Sequence, residues 1–261
     1  MQDIRAQASR DMGVDLPSLN PLSAADLSAA LSAGWADFKA APIFGLFFAA
    51  VYAIGGMLLY WGLISAGQPV WFVAIAAGFP LLAPFAAVGL YEVSRRRQAG
   101  EPLDWGAILT AIKGKGDGQL PVMAVMVLLI FGFWVILARG IFAIFFAQSG
   151  IGPESLGMLA SLNGIAMLLV GSAIGGALAL ALFATTALSL PMLLDKPVDF
   201  VTAIVTSLTV VRSNPQVMLR WAATIVVLLV IGMIPAFLGL LIVLPVLGHA
   251  TWHLYDRAVQ R

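Results

Sequence analysis

The chain contains no cysteine and little charge. None of its 261 residues is cysteine, and only 10% are Asp, Glu, Lys or Arg. The absence of cysteine excludes disulfide bonds and a thiolate metal site. The low charge excludes an ordinary soluble domain, in which about 25% of residues are charged. The N-terminal region also lacks the apolar core and cleavage site of a secretory signal, so we expect the first membrane helix to direct targeting.

Apolar residues dominate the rest of the composition. They make up 61% of the chain, and the mean hydropathy is +0.98. A membrane-spanning helix needs about 20 apolar residues to cross roughly 30 Å of hydrocarbon. The sequence therefore predicts an all-α, polytopic membrane protein with six transmembrane helices arranged as three hairpins. The predicted spans are 42–65, 70–91, 121–147, 163–190, 217–232 and 235–255.

A short amphipathic helix precedes each hairpin and is expected to lie in the membrane interface. The three helices begin at Asp26, Asp104 and Asp199, each followed by an aromatic residue or Leu. Asp104 and Asp199 are typical N-cap residues. In the first helix, the apolar face is formed by Leu27, Leu31, Trp35 and Phe38, while Asp37 and Lys39 are assigned to the polar face. Helices of this kind are too polar to cross the bilayer and lie along its surface.

The three helix-plus-hairpin units predict an internal repeat. They comprise about 22–97, 98–195 and 196–261, and together they form one membrane domain, 22–261. Residues 1–21 are predicted to be a loosely ordered cytoplasmic tail, because they contain few large apolar groups. In the second unit, 156–190 is too long for one perpendicular helix. We therefore expect a short outer segment followed by a span that begins near Asn163.

The distribution of Lys and Arg predicts that both termini are cytoplasmic. Cytoplasmic loops of membrane proteins carry an excess of these residues. With six spans and the N-terminus inside, all but one of the cations fall on the inner side, and Arg139 is the exception. A net charge of +1 gives no basis for a nucleic-acid partner. The inner cations are Arg5, Arg10, Lys39, Arg95, Arg96, Arg97, Lys113, Lys115, Lys196, Arg212, Arg220, Arg257 and Arg261.

Arg139 lies inside the third predicted span, where a charge costs about 2 to 3 kcal/mol. Two interpretations are open. Arg139 belongs to a polar path or an ion pair with Glu154 or Asn163, or it is a helix-end arginine whose side chain extends to the outer headgroups.

His249 and His253 are the two histidines of the chain, and their spacing puts them on one helix face. Two histidines at i and i+4 can chelate a metal ion, and Asp256 and Glu92 are candidate additional ligands. The other interpretation is ordinary interfacial anchoring beside aromatic residues. Two histidines on one helix cannot bind opposite faces of the same haem, so a bis-histidine cytochrome within this chain is excluded.

Gly171, Gly175 and Ala179 form a row of small residues that lets another helix approach closely. The neighbouring helix belongs either to this protein or to a partner. The chain has no believable Ser/His/Asp arrangement and no Gly-x-Ser-x-Gly motif. We therefore expect neither a catalytic site nor a cofactor.

Four stretches of the sequence resemble a known family. They are Gly34-Trp-Ala-Asp-Phe38, Gly89-Leu-Tyr-Glu-Val-Ser-Arg-Arg96, Ser213-Asn-Pro215 and Leu247-Gly-His-Ala-Thr-Trp-His-Leu-Tyr255. The chain resembles the bacterial domain-of-unknown-function 2189 group of integral membrane proteins, whose members are sometimes labelled putative cytochrome c oxidase. The resemblance implies a multi-pass protein of the bacterial inner membrane. A haem-copper catalytic subunit needs six histidines and a dinuclear copper subunit needs cysteines, so any link to an oxidase would be as an accessory component.

Three functional hypotheses follow. The leading one is a non-catalytic accessory or assembly component that packs against a membrane complex, with a respiratory oxidase as the candidate complex. The alternative is a small transporter or channel with a polar path between the hairpins. The polar path would be lined by Arg139, Asn163, Thr185 and Thr186. The third hypothesis is a metal protein or membrane enzyme that uses His249, His253 and Glu92.

Overall fold

The computed structural model describes residues 19–78, 84–112, 118–146 and 156–259, and in these ranges the chain is α-helical without a β-strand. The predicted all-α fold is confirmed. Most of the predicted tail, 1–21, lies outside the described residues. The helices are α1 (Ala24–Ala40), α2 (Pro42–Ser65), α3 (Pro69–Gly78), α4 (Pro84–Ala99), α5 (Trp105–Ile112), α6 (Gln119–Phe146), α7 (Leu162–Thr186), α8 (Ser189–Asp195), α9 (Phe200–Ser213), α10 (Pro215–Met233) and α11 (Leu240–Ala258), with a 3₁₀ helix at Leu156–Ala160.

Four helical segments are long and apolar enough to cross a membrane: α2, α6, α10 and Leu162–Asp195, which combines α7 and α8. These four segments agree with the predicted multi-pass membrane protein. Two of the six predicted spans, 70–91 and 235–255, are not among them. The segment 70–91 is described as α3 and the first part of α4, separated by 79–83, which lie outside the described residues. The last predicted span corresponds to α11, whose second half contains several polar and charged residues.

Helix α11 is the centre of the structure. It packs most extensively against α1 and also contacts α2, α4 and α10. Gly34 of α1 lies directly against the backbone of Ala250, and Gly248 of α11 lies against Leu90 of α4. The indole of Trp252 is fully buried in the resulting core. Burial of this helix by its neighbours explains how its polar second half is accommodated.

Both N-caps predicted from the sequence are confirmed. Asp104 accepts a hydrogen bond of 2.8 Å from the backbone N–H of Ala107, and Asp199 accepts two backbone N–H groups of its own helix. In α1 the N-cap is Ser23, and Asp26 is its partner in a capping box. The helix therefore starts before Asp26, since the reciprocal hydrogen bonds of this pair close its first turn.

The buried face of α1 differs from the prediction. Asp37 was assigned to the polar face, but it is only 7% exposed, and Gly34 is buried beside it. Trp35, assigned to the apolar face, is 43% exposed. The reason is that α1 packs against α11, and its closest approach is through Gly34.

The prediction for 156–190 agrees with the structure, which has a 3₁₀ helix followed by a helix from Leu162.

Residues just before α1 pair with the C-terminal end of α11. The backbone N–H of Asn20 donates to the carbonyl of Ala258 at 2.9 Å. The backbone N–H of Leu22 donates to the Asn214 side chain at 2.8 Å, between α9 and α10. These contacts fix the start of α1 relative to the last three helices.

Candidate functional site

The largest group of interacting polar side chains lies where α1, α4 and α11 meet. Asp37 is its centre and receives three side-chain hydrogen bonds. Ser94 Oγ donates to Oδ2 at 2.7 Å, and Arg97 Nε donates to Oδ1 at 2.8 Å. His253 Nε2 lies 2.8 Å from Oδ2. One carboxylate of α1 therefore links this helix to α4 and to α11.

His249 extends this network into the core. Its side chain is fully buried, and its Nδ1 lies 2.8 Å from Ser94 Oγ. Because Ser94 has one hydroxyl proton and donates it to Asp37, its contact with His249 requires Nδ1 to be the donor. Within the described residues, Nε2 of His249 has no hydrogen-bond partner. The network thus selects one tautomer of a buried imidazole.

The surroundings of Asp37 keep it ionised. Burial alone would raise its pKa, but hydrogen bonds from His253, Ser94 and Arg97 outweigh burial and lower the pKa to about 2. An acid that accepts several hydrogen bonds in its charged form behaves in this way. The carboxylate therefore carries its negative charge throughout the physiological pH range.

A second charged group continues along α4. Glu92 is buried and forms salt bridges of 2.8 Å with Arg95 and 2.7 Å with Arg96. Burial raises the pKa of Glu92, but the hydrogen bonds from the two guanidinium groups lower it below its usual value. Arg95 also contacts Glu101 at 3.0 Å. The arginine triplet of the sequence is therefore part of an ion-pair network with buried acids.

The four candidate metal ligands do not converge. His249 contacts Ser94, whereas Glu92 is paired with two arginines. Asp256 accepts a hydrogen bond from Gln98 at 2.7 Å. The part of the chain that the structure describes contains no group of three or more His, Cys, Asp or Glu side chains that could hold a metal ion. Metal binding by the histidine pair stays a prediction.

Two of the residues proposed for a polar path, Arg139 and Asn163, are exposed in the structure. Arg139 is exposed, and its guanidinium lies over the ring of Trp71, 5.3 Å from the centroid. Such a cation–π contact is worth about 0.5–1 kcal/mol at an exposed site. Asn163 is exposed near the start of α7. Glu154, the other predicted partner of Arg139, lies outside the described residues.

In the predicted row of small residues, Gly175 packs against another helix of this protein, whereas Gly171 and Ala179 line clefts. A side chain at Gly175 would meet the ring of Trp134 of α6 at 2.7 Å, so this glycine serves packing within the protein. Gly171 and Ala179 line a cleft between α3, α6 and α7. Ala179 also lines a larger cleft of about 570 Å³ between α4, α7, α10 and α11. A Cβ at Gly171 would meet no described atom within 4 Å.

Residues 72–195 match the DUF2189 family of predicted integral membrane proteins. The resemblance stated from the sequence is confirmed over this stretch. The DUF2189 match contains Ser94 and the arginine triplet of α4, whereas Asp37, His249 and His253 lie outside it. No curated protein and no solved structure matches this chain.

Sequence reasoning did not identify the Asp37 network. A signal was nevertheless present, because three of the four stretches that carried the resemblance supply it. The stretch 34–38 contains Asp37, 89–96 contains Ser94, and 247–255 contains both histidines. These stretches meet in space through the close packing of α1, α4 and α11.

Proposed function

We propose that this protein is a non-catalytic accessory or assembly component of the bacterial inner membrane, and that it docks a transmembrane helix of a partner membrane complex on α6. We further propose six spans with both termini in the cytoplasm. The two proposals are separable, since the docking surface requires only that α6 crosses the membrane.

The observation that supports docking is that the two most apolar candidate spans are largely unburied. Only 22% of the most apolar stretch of α6 is buried, and 11% of that of α7 and α8. These two segments also have the highest hydropathy of the four candidate spans. Buried polar residues join α1, α4 and α11, whereas the α6–α7 hairpin has a broad surface available to the bilayer or to another helix.

Two glycines make the outer face of α6 suitable for close packing. A Cβ at Gly132 or at Gly140 would meet no described atom within 4 Å. Leu129 and Ile136, on the same side of the helix, are 68% and 67% exposed. Small residues allow two helix backbones to approach in the membrane, where van der Waals packing drives association. We call Leu129, Gly132, Ile136 and Gly140 the α6 face.

The α6 face can be tested by site-specific photo-crosslinking from Ile136 in cells. We expect one discrete adduct in which the attached peptide is a transmembrane segment of another protein. Gly132→Leu combined with Gly140→Leu should abolish the adduct, because the new side chains prevent close approach. Gly62→Leu is the matched control, since a Cβ at Gly62 in α2 also meets nothing within 4 Å. An adduct with a second copy of this chain, or equal adducts in all variants, would contradict the proposal.

The proposed topology can be tested with single cysteines, because the chain has none of its own. We expect an impermeant maleimide to label Gln68→Cys in intact cells but not Ser32→Cys, on opposite sides of α2. Pro102→Cys decides whether 70–91 crosses the membrane. Six spans predict that it behaves like Ser32→Cys, and four spans predict that it behaves like Gln68→Cys. All three residues are exposed in the structure.

The other functional hypotheses stay predictions. A respiratory oxidase is a candidate partner only through the label that accompanies the resemblance, and the crosslinked peptide would identify the complex. A transporter with a polar path remains the alternative. The hydroxyls of Thr185 and Thr186 donate to carbonyls of their own helix, which is the ordinary arrangement for Thr in an apolar helix.

A further inference from the structure

A cleft between α4, α7, α10 and α11 has a shape and lining suited to a small molecule. Its volume is about 570 Å³. Ligand sites in proteins occupy about 300–1,000 Å³ and have mostly apolar walls with a few polar groups. This cleft has that character, since Leu, Val, Ala and Phe side chains form most of its lining.

The polar groups of the cleft are concentrated at one end. Helix α10 runs from Trp221 to Leu229 along the cleft, and α11 returns from Leu244 to Thr251. Helix α7 reaches the same end at Thr186. The three helices therefore contribute Trp221, Thr251 and Thr186 to the end of the cleft where α10 begins and α11 ends. Tyr91 of α4 is the fourth polar residue at this end. The opposite end is apolar.

One of these polar groups lacks a partner. Trp221 is fully buried behind the cleft wall, and its Nε1–H has no acceptor among the described residues. Because this N–H is inaccessible from the cleft, it cannot donate to a molecule bound there, and Tyr91 is the residue of this end with a donor for a ligand. The lining residues include no charged side chain. The cleft therefore favours an uncharged oxygen acceptor at its polar end over a carboxylate or an amine.

The dimensions of the cleft match one leaflet of a bilayer. From Gly176 to Thr186, α7 rises about 15 Å at 1.5 Å per residue. This is half of the roughly 30 Å hydrocarbon thickness. The cleft is half open, and its rim residues Leu219 and Val226 are 52% and 57% exposed. A lipid tail could therefore enter sideways from the leaflet.

We propose that the cleft binds one acyl chain of a glycerophospholipid, with the ester carbonyl of the lipid at the end where Tyr91 lies. The carbonyl accepts from the Tyr91 hydroxyl, and the chain extends toward Leu229 and Leu244. The exposed Arg220 follows the rim residue Leu219 and offers a cation for the lipid phosphate. The cleft is distinct from the α6 face, so this site does not depend on the proposed docking function.

Native mass spectrometry of the full chain in mild detergent tests this site. We expect the purified protein to retain about one phospholipid per chain. After removal of bound lipid, dioleoyl phosphatidylethanolamine should rebind. Gly176→Leu should reduce retention at least tenfold, because a Cβ there meets nothing within 4 Å and the new side chain occupies the cleft. Gly132→Leu is the matched control. A Cβ at Gly132 also meets nothing within 4 Å, but this residue lies on the α6 face and not in the cleft, so the variant should retain the lipid.

One further variant tests the polar end. Tyr91→Phe keeps the aromatic ring and removes the hydroxyl. We expect this variant to retain severalfold less phosphatidylethanolamine than the wild type, with an unchanged melting temperature in lipid-free detergent. A copurified quinone or fatty acid in place of a phospholipid would overturn the assignment of the occupant. Equal retention by Gly176→Leu and Gly132→Leu would overturn the site itself.

Discussion

Gly34→Leu is expected to cause a large loss of stability. A Cβ at Gly34 would lie 2.6 Å from the backbone nitrogen of Ala250 and 2.7 Å from the carbonyl oxygen of Val246. Backbone atoms of a central helix cannot rotate away, so α1 must separate from α11. Overpacking of a core typically costs about 1–3 kcal/mol, and we expect at least the upper value here. For a chain of this size that corresponds to a fall in Tm of about 10 °C.

The control for Gly34 is a glycine that has space around it. Gly62→Leu introduces the same side chain in α2, where a Cβ meets nothing within 4 Å. We expect its Tm to equal or slightly exceed that of the wild type, because leucine is a better helix former than glycine. Thermal unfolding of both variants in the same detergent makes the comparison. Equal melting temperatures for the two leucine variants would mean that contact between α1 and α11 does not stabilise the protein.

Much of the helical architecture could be predicted because it depends on local sequence. Long apolar runs gave α2, α6 and α7, and the Asp caps of α5 and α9 follow from the chemistry of a single turn. The segment 70–91 is as apolar as a continuous span, and the structure describes it only as α3 and the first part of α4. The pattern correctly buried Leu27 and Phe38 of α1 but placed Asp37 in solvent, where a polar residue is usually found.

The interactions of the candidate site depend on residues far apart in the chain. Asp37 bonds to Ser94, 57 residues away, and to His253, 216 residues away. The spacing of His249 and His253 correctly put them on the same side of one helix. It could not indicate that one ring contacts a serine and the other a carboxylate, because those partners are set by the packing of α1 and α4 on α11.

Asp37→Ala is expected to destabilise the protein by about 3–5 kcal/mol, the usual cost of removing one partner of a buried ion pair. The substitution leaves Arg97, His253 and Ser94 without their common acceptor. Glu101→Ala is the matched control, because it also removes a carboxylate bound to an arginine. Glu101 is 39% exposed, and a pair of that kind contributes about 0–1 kcal/mol. Chemical denaturation in detergent at neutral pH gives both values, and similar losses would rule out a special role for the buried carboxylate.

The same carboxylate predicts how stability changes in acid. Its pKa is lowered from 3.8 to about 2 in the folded protein, so the folded state binds a proton less readily than the unfolded chain. The stabilisation is therefore complete above the unfolded pKa and is lost as the pH falls from about 4 toward 2. The lowered pKa corresponds to about 2 kcal/mol. Asp37→Asn cannot titrate, so the difference in unfolding free energy between the wild type and this variant should shrink by about that amount between pH 5 and pH 2. A constant difference across this interval would mean that Asp37 is not held as a charged, hydrogen-bonded group between α1, α4 and α11.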